Sequence, residues 1–124
     1  MQRHAIKVLA RSQFQPEQSA PGEGRYVFSY TVTIENQGSE PARLLDRHWI
    51  ITDADGQVQE VRGEGVVGEQ PHLKPGERFA YSSGAMLPTP VGSMHGSYGM
   101  IGDDGTRFAA EIPAFSLASL ARLH

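Results

Sequence analysis

Between residues 26 and 34 the chain alternates. Tyr26, Phe28, Tyr30, Val32 and Ile34 are separated by Val27, Ser29, Thr31 and Thr33, and Glu35 closes the run. Successive side chains of a strand point to opposite faces, so a period of two gives one large apolar face and one smaller, mostly polar face. β-branched and aromatic residues occupy both sets, which suits a pleated, half-buried surface. A strand buried on one face belongs to an antiparallel sheet. That sheet needs a second layer to cover its apolar side. Helix has little room elsewhere, because 14 Gly and 8 Pro interrupt the 124 residues.

Turn chemistry divides the remainder into strands. Ala5–Ala10 reads as a short edge strand, and 12–24 as a solvated loop holding Pro16, Pro21 and Gly22, flexible over 14–24. Asn36–Pro41 is a turn. Leu44–Thr52 is a strand with Leu45, Trp49 and Ile51 on one parity and His48 and Ile50 on the other. Asp53-Ala54-Asp55-Gly56 is a hairpin turn, from which Gln57–Arg62 returns as a polar, exposed strand. Lys74-Pro75-Gly76-Glu77 places Pro and Gly at the centre of a type II turn. Arg78–Ser82 is a strand and 85–92 a loop. Met94–Met100 is a strand whose interior Gly96 and Gly99 mark a bulge or a close backbone approach. After the turn Gly102–Gly105, Phe108–Ile112 is the last strand, and Pro113 puts its end at an edge or a bulge. Ser116–Leu123 reads as a helical turn or a tail, with 118–124 taken as the C-terminal tail. Seven or eight strands with turns about every 8–12 residues describe one antiparallel β-sandwich domain over residues 1–124. Its expected core is Phe28, Tyr30, Val32 and Ile34, with Tyr26, Trp49, Ile51, Phe79, Tyr81 and Phe108.

Composition removes several function classes. With 0 Cys there is no disulfide, thiolate metal site or Cys nucleophile, and a reducing, cytoplasmic setting is expected. A net charge of −3 opposes a nucleic-acid footprint. No apolar run approaches the roughly 18–20 residues of a membrane helix, and no apolar signal core follows Met1–Lys7.

Several segments together resemble the ApaG family, also called CorD. They are Arg47-His48-Trp49-Ile50-Ile51, Arg62-Gly63-Glu64-Gly65-Val66-Val67-Gly68-Glu69-Gln70-Pro71 and Leu73-Lys74-Pro75-Gly76. Tyr81-Ser82-Ser83-Gly84, Thr89-Pro90-Val91-Gly92-Ser93-Met94 and Ile112-Pro113-Ala114-Phe115 continue it. The resemblance runs from about Gly24 to Leu117. It implies a fibronectin type III-like, immunoglobulin-like sandwich, which agrees with the strand count. It also implies a protein-interaction module, of the kind found in eukaryotic F-box proteins and in a polymerase-associated protein. Bacterial members are linked genetically to cobalt and magnesium tolerance. The family supplies no catalytic residues to carry over, and Ser97 departs from it where many members have His.

The residues themselves give weaker chemical signals. Gly63-Glu64-Gly65-Val66-Val67-Gly68 matches GxGxxG, but a dinucleotide site needs a buried parallel strand before it and a helix after it. Its glycines are expected to serve a tight turn, and a backbone nest for a small anion is the alternative. On the strand before it, Arg47 and Trp49 share a face and His48 opposes them. Trp49 is read as core, and His48 as a structural histidine with no carboxylate spaced to orient it. Asp53-Ala54-Asp55-Gly56 opens like a calcium loop but lacks the distal Glu, and the five His are scattered. Ser82-Ser83-Gly84 lacks the setting of a nucleophile. Val66-Val67 and Met86-Leu87 are apolar pairs in loops, suited either to a partner or to folding back over the core.

The leading expectation is a non-enzymatic binding module with an unidentified protein partner, no cofactor and no metal, as monomer or homodimer. Its surface is expected at Arg47, Arg62, Gly63, Gly65, Val66, Val67 and Gly68, with the Pro88–Gly92 loop as an extension. The alternative is a phosphate- or nucleotide-binding sensor or enzyme, in which Arg47 and Arg62 flank the glycine loop. A divalent-metal handling protein is the third reading.

Overall fold

The alternating run becomes the middle strand of a three-stranded sheet. In the computed structural model, which describes residues 2–119, eight strands follow in order. They are β1 (Ile6–Phe14), β2 (Tyr26–Asn36), β3 (Ala42–Asp53), β4 (Val58–Glu64), β5 (His72–Leu73), β6 (Arg78–Leu87), β7 (Val91–Gly102) and β8 (Arg107–Ala118). One sheet has the order β1-β2-β6; the other is β4-β3-β7-β8, with β5 paired to the start of β3. Every pairing is antiparallel. The two sheets form an antiparallel sandwich of the fibronectin type III kind. β1 and β8 lie alongside one another where the sheets meet, and the Ser12 hydroxyl donates to the Ser116 carbonyl at 2.6 Å.

The even residues of β2 behave as their parity requires. Phe28, Tyr30, Val32 and Ile34 are buried and continue into Asn36, while the intervening residues stay half-exposed. Across the sandwich they meet Trp49, Ile51, Met94, Tyr98, Met100 and Ile112. Trp49 lies edge-on to Tyr30, Tyr98 and Phe115. Tyr26, Phe79 and Phe108 border this core rather than filling it.

Four expectations are corrected. Leu45 does not share the Trp49 face, because the β3–β7 register shifts between Leu44 and Asp46 and the bulge turns fully buried Leu44 inward instead. The 14–24 segment is not featureless: β1 extends to Phe14, and two 3₁₀ turns, Pro16–Gln18 and Pro21–Glu23, carry the chain across. Strand β6 runs through Gly84 to Leu87, because Ser29 and Phe28 of β2 pair with Gly84 and Ala85. Pro113 sits at a bulge, since Ile112 to Phe115 on β8 spans Gly96 to Met94 on β7. β8 likewise continues past Ser116 to Ala118, so residues 116–118 are strand and not the start of a helical turn or tail; of the expected tail, residues 120–124 lie outside the described residues.

The turn after β2 is organised by Asn36. Its side chain is 1% exposed. Nδ2 donates to the carbonyls of Glu40 and Leu73 at 2.9 Å each, and Oδ1 accepts from the Gly38 amide at 2.9 Å. One amide thus joins β2, the following turn and β5.

Candidate functional site

The glycine-rich segment begins on β4 and leaves it at Glu64. The bulge at Leu45 frees a carbonyl on β3, which accepts from the Gly65 amide and from Gln70 Nε2, both at 2.8 Å. Val66 and Glu69 then exchange both backbone hydrogen bonds, at 2.8 and 2.9 Å. Between them Val67 and Gly68 both have positive φ, +43° and +81°. That is the two-residue turn with two left-handed positions. Gly68 suits it, whereas a β-branched residue in this region is strained.

Arg47 fixes the base of the loop. Its Nη1 donates to the carbonyl oxygens of Glu64 and Gly65 at 2.9 Å each. The guanidinium lies so close over Gly63 that a Cβ there would stand 2.7–2.9 Å from its atoms. Gly63, whose φ is not positive, thus makes room for the guanidinium and does not serve the turn, which corrects the expectation that all three glycines do. Gly65 is in the left-handed region at φ +61°, and a Cβ on it would stand 2.4 Å from the Glu69 carbonyl oxygen.

The two arginines do not converge. Arg47 pairs across β4 with Gly63 and His48 with Arg62, so Arg62 shares the His48 face, opposite to Arg47. Its side chain is 71% exposed and lies 3.5 Å from Glu60, a surface pair of little energetic weight. His48, expected to lack a carboxylate, has one: Nε2 is 3.0 Å from Glu60 Oε1 across the β3–β4 ladder. That hydrogen bond holds the Glu60 carboxyl below its ordinary value. The partner was missed because it is diagonal across a hairpin and distant in sequence.

Three tyrosines gather by Arg47: Tyr30 and Tyr81, both expected in the core, and Tyr98, which the sequence reading did not single out. The Tyr81 and Tyr98 hydroxyls hydrogen-bond to one another, and Tyr30 lies close enough to both that ionising one phenol opposes ionising the next. Burial holds all three phenols above their ordinary value, Tyr81 at about 12, while the Arg47 charge works weakly the other way. The Trp49 indole N–H approaches the Tyr81 hydroxyl closely enough to favour its ionised form. It stays outside hydrogen-bonding geometry, so Nε1 is buried with no partner among the described residues.

The apolar pairs divide. Val66 is fully buried and joins the core, so it cannot face a partner; Val67 is 55% exposed. Met86 is exposed and Leu87 buried. The Pro88–Gly92 loop is tied to the Asp53–Gly56 hairpin by the Thr89 hydroxyl, which accepts from the Ala54 amide at 3.0 Å. Asp53 and Asp46 are separated by roughly 20 Å of strand, so this loop does not extend the Gly63–Pro71 surface. The Asp53 carboxylate accepts from the amides of Asp55 and Gln57 at 2.8 and 3.0 Å, as a hairpin Asp does. No group of three His, Asp or Glu among the described residues is placed to hold a metal ion.

The pairing around the loop also removes the dinucleotide reading. β4 is an antiparallel edge strand, and the two residues of β5 follow the loop where a helix would be needed. What remains is an antiparallel fibronectin type III-like sandwich bearing one loop clamped by an arginine. The chain belongs to the ApaG family: the ApaG domain matches residues 16–102. Protein ApaG of Aromatoleum aromaticum is 58% identical over 123 residues, covering 99% of this chain and 97% of that one. Protein ApaG of Pseudomonas aeruginosa is 59% identical over 121 residues, covering 98% and 96%. The crystal structure of the ApaA protein from Bordetella pertussis superposes with a TM-score of 0.94 at 50% identity, covering 98% of each chain. No helix among the described residues is long and apolar enough to cross a membrane.

Proposed function

We propose that this chain is a non-enzymatic binding module that mediates protein–protein interaction in the cytoplasm. The observation that carries the reading is Val67. A β-branched residue is held at positive φ and exposed at the tip of a loop whose base is clamped by Arg47. Folding alone would favour Gly or Asn there, so the strain is accepted for an apolar tip. Around it no base, nucleophile and cation converge among the described residues, which disfavours the phosphate-sensor reading. On this reading the cobalt and magnesium tolerance linked to the family is an effect transmitted through a partner, since no three metal ligands are assembled among the described residues.

Affinity capture from the cytosol of the source bacterium tests this. Wild-type protein should retain a partner that Val67→Asp releases while keeping the wild-type melting temperature. Equal capture by both proteins refutes the Val67 surface. A melting temperature raised by ATP or pyrophosphate, and not raised in Arg62→Ala, would favour the phosphate reading instead.

A further inference from the structure

The two sheets are unequal. Three strands face the path β4-β3-β7-β8 of the five-stranded sheet, and β1 is set against β8, so β4 has no strand opposite it and β6 ends one strand short. The inner face of β4 is Gln59, Val61 and Gly63, as their register with Ile51, Trp49 and Arg47 requires. Gln59 is exposed and Val61 half-buried. On the β6 side Phe79 and Ala85 are half-buried and Ser83 exposed, although all three pair with core residues of β2. Core-facing positions are thus left uncovered along one seam.

The free edge of β6 is also unprotected. From Phe79 to Leu87 it carries no charge, no Pro and no bulge. The other edges are guarded as sheet edges usually are. β4 has Glu60, Arg62 and Glu64; β8 has Arg107, Glu111 and the Pro113 bulge; β1 has Lys7 and Arg11 and lies against β8.

The seam has two chemically different ends. At one, a groove of about 200 Å³ is lined by the apolar Ile51, Val58, Leu87 and Pro88 together with the polar Asp53, Gln57 and Gln59. At the other is Arg47, half-buried, whose Nη1 is taken by two carbonyls while Nε and Nη2 have no acceptor among the described residues. The neighbouring phenols stay neutral, so they do not offset its charge. Ile51 and Arg47 are four residues apart on one face of β3, about 13 Å.

Resting on the binding-module reading, we propose that this seam docks an extended segment of a partner protein. The segment adds a strand to β6, sets an apolar side chain into the Ile51–Leu87 groove, and places an Asp or Glu four residues away on the same face against Arg47. Main-chain hydrogen bonds supply affinity and the two alternate side chains supply specificity. An antiparallel β6–β6 pair about a two-fold axis normal to the sheet would carry each projecting β4 into the layer already held by the other copy's β3, so the seam suits a single extended segment.

Selection of a phage-displayed library of random ten-residue peptides on the full-length protein tests the assignment. Enriched sequences should be free of Pro, rich in β-branched residues, and carry an apolar residue four positions from an acid. For a synthetic peptide of that kind, Glu→Gln should weaken binding about tenfold or more, and N-methylation of alternate amides should abolish it. Ser83→Trp should fill the seam and abolish binding; Gln59→Trp blocks the opposite wall should the first variant fold poorly. Absence of enrichment, or binding that survives both blocks and N-methylation, overturns the groove. So does capture of a native partner that Val67→Asp alone weakens, an outcome that leaves the binding-module reading standing.

Discussion

The contact between Gly63 and Arg47 can be measured as a coupling energy. A Cβ at residue 63 would stand 2.7 Å from Nη2, 2.8 Å from Cζ and 2.9 Å from Nη1. The guanidinium would have to retreat by more than half an ångström to reach ordinary contact. It is held in place by its two hydrogen bonds to Glu64 and Gly65. Bonds from a charged donor are worth about 1.5–3 kcal/mol each, so losing one sets the cost of Gly63→Ala at about 2–3 kcal/mol. Gly63 is not among the positive-φ residues, so the cost should vanish in an Arg47→Ala background, where Ala even gains about 0.5 kcal/mol from a less flexible unfolded chain. Gly68→Ala is the control: φ is +81° and nothing lies within 4 Å of the new Cβ. It should cost about 1–2 kcal/mol with or without Arg47. Urea unfolding followed by Trp49 fluorescence gives all four corners of each cycle. Additivity of Gly63→Ala and Arg47→Ala to within about 0.5 kcal/mol would refute the clamp.

Val67→Asn should raise stability by about 1 kcal/mol, because Asn tolerates the left-handed region and Val67 buries little; a lowered melting temperature would contradict the strain. Asn36→Ala should cost about 3 kcal/mol or more, since it orphans the buried Leu73 carbonyl and the Gly38 amide together; urea midpoints check this. The phenols make stability fall at high pH. Their folded values are raised, Tyr81 to about 12, so the contribution is complete below about pH 10, the ordinary phenol value, and is lost between there and the folded value. Absorbance at 295 nm should show delayed ionisation that appears together with unfolding; three phenols titrating normally in a folded protein would refute the cluster.

The β2 run made the sandwich legible, because a period of two over nine residues has one structural meaning. Trp49 was legible for the same reason. Leu45 was not: its face depends on a bulge, and a one-residue slip reverses parity without leaving a mark in hydrophobicity. The continuation of β6 through Gly84 was set by its partner strand, which local propensity does not report. At the site, the glycines announced a turn, but they did not announce that Gly63 makes room for a side chain sixteen positions earlier. His48–Glu60 and Tyr81–Tyr98 are likewise pairings across a ladder or a sandwich, fixed only once the register is known.

The Arg47 clamp has a consequence for how this chain tolerates change. Its two hydrogen bonds end at Glu64 and Gly65, and the Leu45 carbonyl holds Gly65 and Gln70. Beyond these anchors, Val67 and Gly68 touch solvent. The tip is therefore mechanically insulated from the sandwich. A side chain at residue 67 can change without disturbing the frame, so long as the left-handed turn at 67–68 and the buried Val66 are kept. A substitution at Arg47 or Gly63 would instead loosen every tip that the frame carries.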